Sequence, residues 1–230
     1  MDKKIRYEGL DHLRGLLALT VMIYHFSHWL NITPPLFIKQ PIDLLGLYAV
    51  STFYCLSGVA LFIVNKNREL NGPFVKEFFL KRFFRIYPLF FLASATSIIL
   101  SGGEALSENP IGVILSFTLL FSWLDPSAYF TIGAWSIGNE FAFYTLFPII
   151  LYAWHKRLFK ILIIGFLTIA SCYYCFILIS PEGTIADQWA TYISPWNQVI
   201  LFLGGIGIGS LILKHKSSKI ALPILIFSTL

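Results

Sequence analysis

Charged side chains are scarce in this sequence: Asp, Glu, Lys and Arg together make up 13% of its 230 residues. Soluble domains carry about 25%, and 57% of this chain is hydrophobic. The scarcity excludes an ordinary soluble domain, because too few charges remain to cover a water-exposed surface. We therefore expect an integral membrane protein, whose 22 Phe, 11 Tyr and 6 Trp suit lipid-facing surfaces and interfacial belts.

Cysteine is also rare, and each of the three residues, Cys55, Cys172 and Cys175, falls inside an apolar segment. Cys172 and Cys175 form a CxxC pair, but no second ligand pair accompanies it and no polar loop holds it. Buried cysteine mostly behaves as a small hydrophobic residue. The sequence therefore predicts no metal site.

The basic residues do not gather in one continuous face. All of the 17 except Lys39 fall in four clusters that separate apolar stretches. This distribution excludes a nucleic-acid-binding face. It is typical of juxtamembrane clusters that lie against a lipid bilayer.

Seven apolar stretches are candidates for membrane spans: 13–30, 44–64, 86–100, 111–124, 135–154, 161–179 and 199–213. An eighth begins at Ile220 and meets the end of the chain, so we expect an incomplete protein. The first stretch is too long for a signal peptide and has no cleavage site after it. The predicted fold is all-α, a polytopic transmembrane helical bundle.

The distribution of Lys and Arg also predicts the topology, because these residues accumulate on the cytoplasmic side. The four basic clusters all lie on that side only if 111–124 does not cross the membrane, and this segment is short for a span. We predict a cytoplasmic N-terminus and a re-entrant or interfacial 111–124 on the outer side. A short tilted helix buried in the bundle is the alternative.

The first span carries two ionisable side chains on one helical face. Arg14 and His25 are eleven residues apart, which is three turns plus about 20° and about 16.5 Å along the axis. Arg14 alone suits an anchor that reaches the lipid headgroups, and His25 alone suits a hydrogen-bonded residue of the bundle. A span that only crossed the membrane would not need the pair.

Glu140 is the one acid inside 135–154, and its expected depth is close to that of His25. A carboxylate beside an imidazole fixes its tautomer and raises its basicity, so we predict that Glu140 orients His25. Pairing of Glu140 with another buried polar group is the alternative.

Two further stretches place polar or small residues at membrane depth. In "FLKRFFRIYP", Arg82 and Arg85 share a helix face at the cytoplasmic border and suit either a phosphorylated ligand or lipid headgroups. In "STFYCLSGVALF", Ser57 and Gly58 lie in mid-span. For Gly58 we favour close helix packing through small residues.

Together these stretches resemble the membrane acyltransferase 3 family. The match consists of "GLDHLRGLLALTVMIYHF", "FYCLSG", "KRFFRIYP" and "WSIGNEFAFYTLFP", in the family's order and over about the first 150 residues. The resemblance implies about ten spans in the complete protein. Residues 1–230 would then be a single integral-membrane acyltransferase domain that lacks its last helices, in a bacterial inner (cytoplasmic) membrane.

The resemblance also implies a reaction. Such proteins transfer an acyl group, commonly acetyl, from cytoplasmic acyl-CoA to a hydroxyl of a carbohydrate or envelope glycan, with no permanently bound cofactor. Arg14, Arg82 and Arg85 would hold the phosphates of acetyl-CoA. His25 would deprotonate the acceptor or carry the acyl group, and Glu140 would orient His25 or bind the sugar. The residues expected to bind substrate or support the site are Asp11, Ser57, Trp135 and Ser136.

Two other classes compete with the enzyme. Intramembrane His, Glu and Arg also build proton-coupled transporters, but the chain lacks the paired, broken helices that many transporters show. A lipid-binding scaffold would use the basic clusters and leave His25 and Glu140 unexplained.

Overall fold

The structure, a computed structural model, describes residues 8–30 and 35–215. Regular secondary structure in this part of the chain is helical throughout, which confirms the all-α class. In chain order the helices are α1 (Glu8–Trp29), α2 (Leu36–Asn65), α3 (Gly72–Leu100), α4 (Glu104–Glu108), α5 (Pro110–Phe117), α6 (Phe121–Leu124), α7 (Ala134–Trp154), α8 (Arg157–Tyr173) with a π-helical turn at Tyr174–Leu178, α9 (Trp189–Tyr192) and α10 (Pro195–His215).

Four helical stretches in the described residues are long and apolar enough to cross a membrane: Phe37–Asn65, Gly72–Leu100, Arg157–Leu178 and Trp189–Lys214. The predicted span 135–154 corresponds to α7, and 13–30 corresponds to α1, which begins earlier, at Glu8; neither helix is among these four stretches. The number of spans stays a prediction, and the apolar stretch from Ile220 lies outside the described residues.

The described residues fall into two compact units, one of residues 8–30, 35–63 and 201–215 and the other of Val64–Ile200. In the first unit, α2 and α10 approach each other through glycines. A Cβ atom on Gly58 would collide with the carbonyl oxygen of Phe202, and one on Gly205 with that of Cys55. These approaches confirm that Gly58 serves close helix packing.

Helix α1 belongs to the same unit and divides into two stripes. The outer stripe is exposed and apolar, with Leu16, Leu19, Met22, Ile23 and Phe26. The opposite stripe is half-buried, with Leu13, Arg14, Leu17, Thr20, Val21, Tyr24 and His25. One continuous helix therefore carries Arg14 and His25 on its half-buried face, as their spacing predicts.

In the second unit, α3 packs along α7. Phe78 of α3 stacks on Phe147 of α7, with ring centroids 5.5 Å apart. Further along α3, the hydroxyl of Thr131 lies 3.3 Å from those of Ser94 and Ser97. Eleven residues of α7 are buried, and the buried amide of Asn139 donates to the carbonyl oxygen of Ile193 at 2.7 Å. Helix α7 is thus the central element of this unit.

The segment 111–124 is not one helix. It is interrupted at Leu119, which has a φ of 59° and separates α5 from α6. The left-handed conformation costs a residue with a Cβ about 1–2 kcal/mol. Burial offsets this cost, because Leu119 and Phe121 both enter a core cluster with Phe90. Neither short helix has the length of a span.

Helix α3 begins earlier than the predicted span of 86–100. The Asn71 side chain accepts a hydrogen bond of 2.9 Å from the backbone N–H of Phe74 and so caps the helix, with a proline in the first turn. The charges between 76 and 85 lower the hydropathy of this part without interrupting the helix. Consequently Arg82 and Arg85 lie about 15 and 20 Å along α3 rather than at its start.

Candidate active site

His25 lies on α1 among aromatic rings. Its imidazole stacks on Trp29, with ring centroids 5.5 Å apart, and meets the edge of Tyr24 at 5.2 Å. The side chain is half-buried. The aromatic faces limit the rotation of the imidazole and leave it partly accessible, which is what a group that exchanges protons with a substrate needs.

Arg14 occupies the same face of α1. Its Nη2 donates to the carbonyl oxygen of Leu56 at 3.3 Å, and Asp11 lies one turn before it at 3.7 Å. The Arg14 side chain is 24% exposed. The structure thus brings Asp11 and Arg14 together beside the α2 backbone immediately before Ser57, which is buried.

A second histidine of α1 has a carboxylate partner that the sequence did not reveal. Nε2 of His28 lies 3.7 Å from a carboxylate oxygen of Asp43 on α2, and its Nδ1 lies 2.9 Å from the carbonyl oxygen of Tyr24. Both side chains are well exposed. Within the described residues, no three His, Cys, Asp or Glu side chains lie together as metal ligands.

The second unit contains a separate polar group, formed where α3 meets α7. The guanidinium carbon of Arg82 lies 5.8 Å from the ring centroid of Phe78 and 5.5 Å from that of Tyr144. Its Nε is buried and has no hydrogen-bond partner among the described residues. Arg85 is exposed. The two arginines, predicted to act alike, therefore occupy different surroundings.

Glu140 belongs to the same group. The fully buried Tyr144 donates its hydroxyl hydrogen bond to the Glu140 carboxylate, one turn away on α7. Pairing with a buried polar side chain was the alternative for Glu140, and the structure contains such a pair. His25 lies in the other unit, so its orientation by Glu140 stays a prediction. The spacing of Glu140 and Tyr144 is visible in the sequence, whereas the approach of Arg82 is not.

Trp135 and Ser136 lie at the start of α7. The Trp135 ring meets Trp189 edge to face, with centroids 5.6 Å apart, and Trp189 donates its indole N–H to the Tyr129 hydroxyl at 2.8 Å. Ser136 donates to the carbonyl oxygen of Gly133 at 2.8 Å. These contacts fix the positions of both side chains at the start of α7, and their predicted role in supporting the site stays a prediction.

Comparison with known proteins places the chain in a family. The sequence-family model described as the acyltransferase domain matches residues 7–230 of this chain. Acyltransferase MdmB of Streptomyces mycarofaciens is 31% identical over 172 residues, which cover 68% of this chain and 41% of MdmB. ORF330, a proposed acetyltransferase of Acidianus two-tailed virus, is 30% identical over 174 residues, which cover 75% of this chain and 49% of ORF330.

The chain thus spans less than half the length of these curated relatives, and no solved structure matches it. The family match runs through all four of the motif stretches, including Arg14, His25, Arg82 and Glu140. The resemblance seen in the sequence is confirmed: this chain belongs to the membrane acyltransferase 3 family.

Proposed function

We propose that this protein transfers an acyl group from acyl-CoA to a hydroxyl of a carbohydrate or envelope glycan, in a bacterial cytoplasmic membrane with the N-terminus on the cytoplasmic side. The observation that carries the proposal is the half-buried face of α1, which holds both Arg14 and His25. Their positions on the helix are separated by about 16.5 Å along its axis. That separation allows Arg14 to hold one end of an extended donor while His25 meets its reactive end.

The donor would bind through guanidinium groups. Arg14 is partly exposed, and a guanidinium binds phosphate oxygens in a bidentate manner. The exposed Arg85 suits the same role. Arg82, which contacts the rings of Phe78 and Tyr144, is proposed for the same role.

His25 would act on the acceptor. As a general base it takes the proton of the acceptor hydroxyl while the hydroxyl oxygen attacks the thioester carbonyl. An ester bond forms, the carbon–sulfur bond breaks, and the departing CoA thiolate receives the proton. Transient transfer of the acyl group to the imidazole nitrogen is the other route. Acetyl is the simplest donor group, and the name of the related ORF330 supports it.

The test compares the wild-type protein with His25→Ala in membranes of equal protein content. Acetyl-CoA is supplied, CoA release is measured as free thiol, and the glycans are analysed by mass spectrometry for an added acetyl group. His28→Ala is the matched control, because His28 lies one turn away on the same helix and is exposed. We expect His25→Ala to lower the rate of acetyl transfer at least about 100-fold. His28→Ala should keep the wild-type rate.

Two results would overturn the proposal. One is acetyl transfer by His25→Ala at the wild-type rate. The other is the absence of CoA release combined with uptake of a solute that depends on His25, which would identify a transporter.

A further inference from the structure

Tyr144 connects two residues that the proposed reaction needs. Its hydroxyl donates to the Glu140 carboxylate, and its ring lies under the guanidinium of Arg82 at 5.5 Å. Tyr144 is fully buried, and Phe78, whose ring meets that of Tyr144 edge to face with centroids 6.2 Å apart, is nearly so. One side chain therefore contacts an acid of α7 and a cation of α3.

The hydroxyl restricts the position of the carboxylate. Without a donor on one oxygen, a partly buried carboxylate can rotate about its last bond and seek other partners. A fixed phenol restricts it, and burial keeps water from competing for that hydrogen bond. Phenylalanine would fill the same space, so packing alone does not require the oxygen.

The ring is needed for the position of the guanidinium. The face of an aromatic ring attracts a cation, and Arg82 has two such faces, Phe78 and Tyr144. The two rings meet edge to face, with centroids 6.2 Å apart, and therefore border the guanidinium on adjacent sides. The Nε of Arg82 is buried without a hydrogen-bond partner in the described part of the chain, so no hydrogen bond at that atom fixes the side chain.

We propose that Tyr144 is a positioning residue for acyl transfer: its hydroxyl fixes Glu140, and its ring seats Arg82. This inference rests on the proposed function. The two groups of Tyr144 can be tested separately. Tyr144→Phe removes the hydroxyl alone, and Tyr144→Leu removes the hydroxyl and the ring.

The first experiment measures kcat and the KM for acetyl-CoA in membranes that contain each variant. Tyr144→Phe should lower kcat about tenfold, the size expected for a hydrogen bond to a charged group, and leave the KM for acetyl-CoA within about twofold. Tyr144→Leu should also raise that KM about fivefold, because Arg82 loses one of its two ring contacts. A merely structural residue would instead lower the amount of active protein and leave both constants unchanged.

Thr145→Val is the matched control for loss of a hydroxyl. Thr145 is the next residue of α7, and its hydroxyl donates at 2.7 Å to the carbonyl oxygen of Ala142 within the same helix. We expect kcat to stay within about twofold of wild type, since this hydrogen bond touches neither Glu140 nor Arg82. If Thr145→Val matched Tyr144→Phe, the effect would belong to the helix as a whole and the inference would be wrong.

A combined variant tests whether Tyr144 acts through Glu140. Glu140→Asp keeps the charge but withdraws the carboxylate by one methylene from the phenol. Tyr144→Phe should therefore lower kcat less than about twofold in the Glu140→Asp background, against about tenfold in the native chain. Equal effects in both backgrounds would show that the hydroxyl acts on something else.

Two measurements separate failure of this inference from failure of the proposed function. If the wild-type protein is active and Tyr144→Phe shows the same kcat as the wild type, the inference fails and the proposed function stands. If the wild-type protein transfers nothing, infrared difference spectra still test the contact. The Glu140 carboxylate band, identified by its loss in Glu140→Gln, should shift in Tyr144→Phe. An unchanged band would exclude the positioning of Glu140 by Tyr144.

Discussion

Helices α1 and α7 are almost equal in length, with 22 and 21 residues, yet they are packed in opposite ways. No described side chain of α1 is buried, whereas eleven residues of α7 are. Each carries a residue proposed for the chemistry, His25 on α1 and Glu140 on α7. Substitutions on α1 should therefore affect folding little, whereas substitutions on α7 should affect packing and chemistry together.

The glycines show the same contrast at the level of single atoms. A Cβ atom on Gly15 of α1 would have nothing within 4 Å, whereas one on Gly138 of α7 would collide with the ring of Phe121. Gly138 therefore permits the close approach of α6, and Gly15 has no such packing role. Helix α7 is built around contacts that tolerate no added volume.

The largest expected effect comes from adding a side chain at these two glycines. Gly138→Leu would force Phe121 out of the core and should destabilise the protein by more than about 3 kcal/mol, leaving little folded material. Gly15→Leu enters open space and should stabilise α1 slightly, because leucine favours helix more than glycine by up to about 1 kcal/mol. Thermal unfolding in detergent, followed by size-exclusion chromatography, measures both.

Similar unfolding temperatures for the two variants would contradict this contrast. They would mean that α6 and α7 are not in contact in the folded protein. Gly207→Leu, on α10, provides a further control, since a Cβ atom there also has nothing within 4 Å.

The next effect is on donor binding by α1. If Arg14 binds the phosphates of acetyl-CoA, Arg14→Gln should raise its KM about tenfold, the loss of one charge-assisted hydrogen bond. The unfolding temperature should change little, because Arg14 is partly exposed and its ion pair with the exposed Asp11 contributes little to stability. Kinetics at fixed glycan concentration measure this change.

Lys39→Gln is the control for the loss of one positive charge. Lys39 lies on α2, is exposed and belongs to none of the basic clusters. If it raised the KM as much as Arg14→Gln, the effect would come from net charge, and a specific phosphate site at Arg14 would be excluded.

The sequence predicted where the helices α1 and α7 lie and missed the features that depend on tertiary contact. The predicted span 135–154 agrees closely with Ala134–Trp154, whereas 13–30 agrees with Glu8–Trp29 at its end but not at its start. The interruption at Leu119 was not predicted, since a left-handed leucine is tolerated only because the core buries it. Local pattern carries no information about that burial.

The candidate site follows the same division. The shared face of Arg14 and His25 could be predicted, because it depends on helical spacing within one element. The contact of Arg82 with Tyr144 depends on the register of α3 against α7, which apolar periodicity does not encode. Tyr144 was thus missed although it stands one helical turn after Glu140.

The smallest expected effect removes one hydrogen bond from each helix. The buried Asn139 of α7 donates to the carbonyl oxygen of Ile193 at 2.7 Å, while Ser27 of α1 donates to the carbonyl oxygen of Tyr24 at 2.8 Å within its own helix. Asn139→Ala leaves a buried carbonyl without its partner and should cost about 1–2 kcal/mol of unfolding free energy. Ser27→Ala should not lower the unfolding free energy measurably, because the acceptor, the carbonyl oxygen of Tyr24, belongs to a half-exposed part of α1. Chemical unfolding in mixed micelles measures the unfolding free energy of both variants. An equal loss in the two would show that α7 is not more buried than α1 in the lipid-solvated protein.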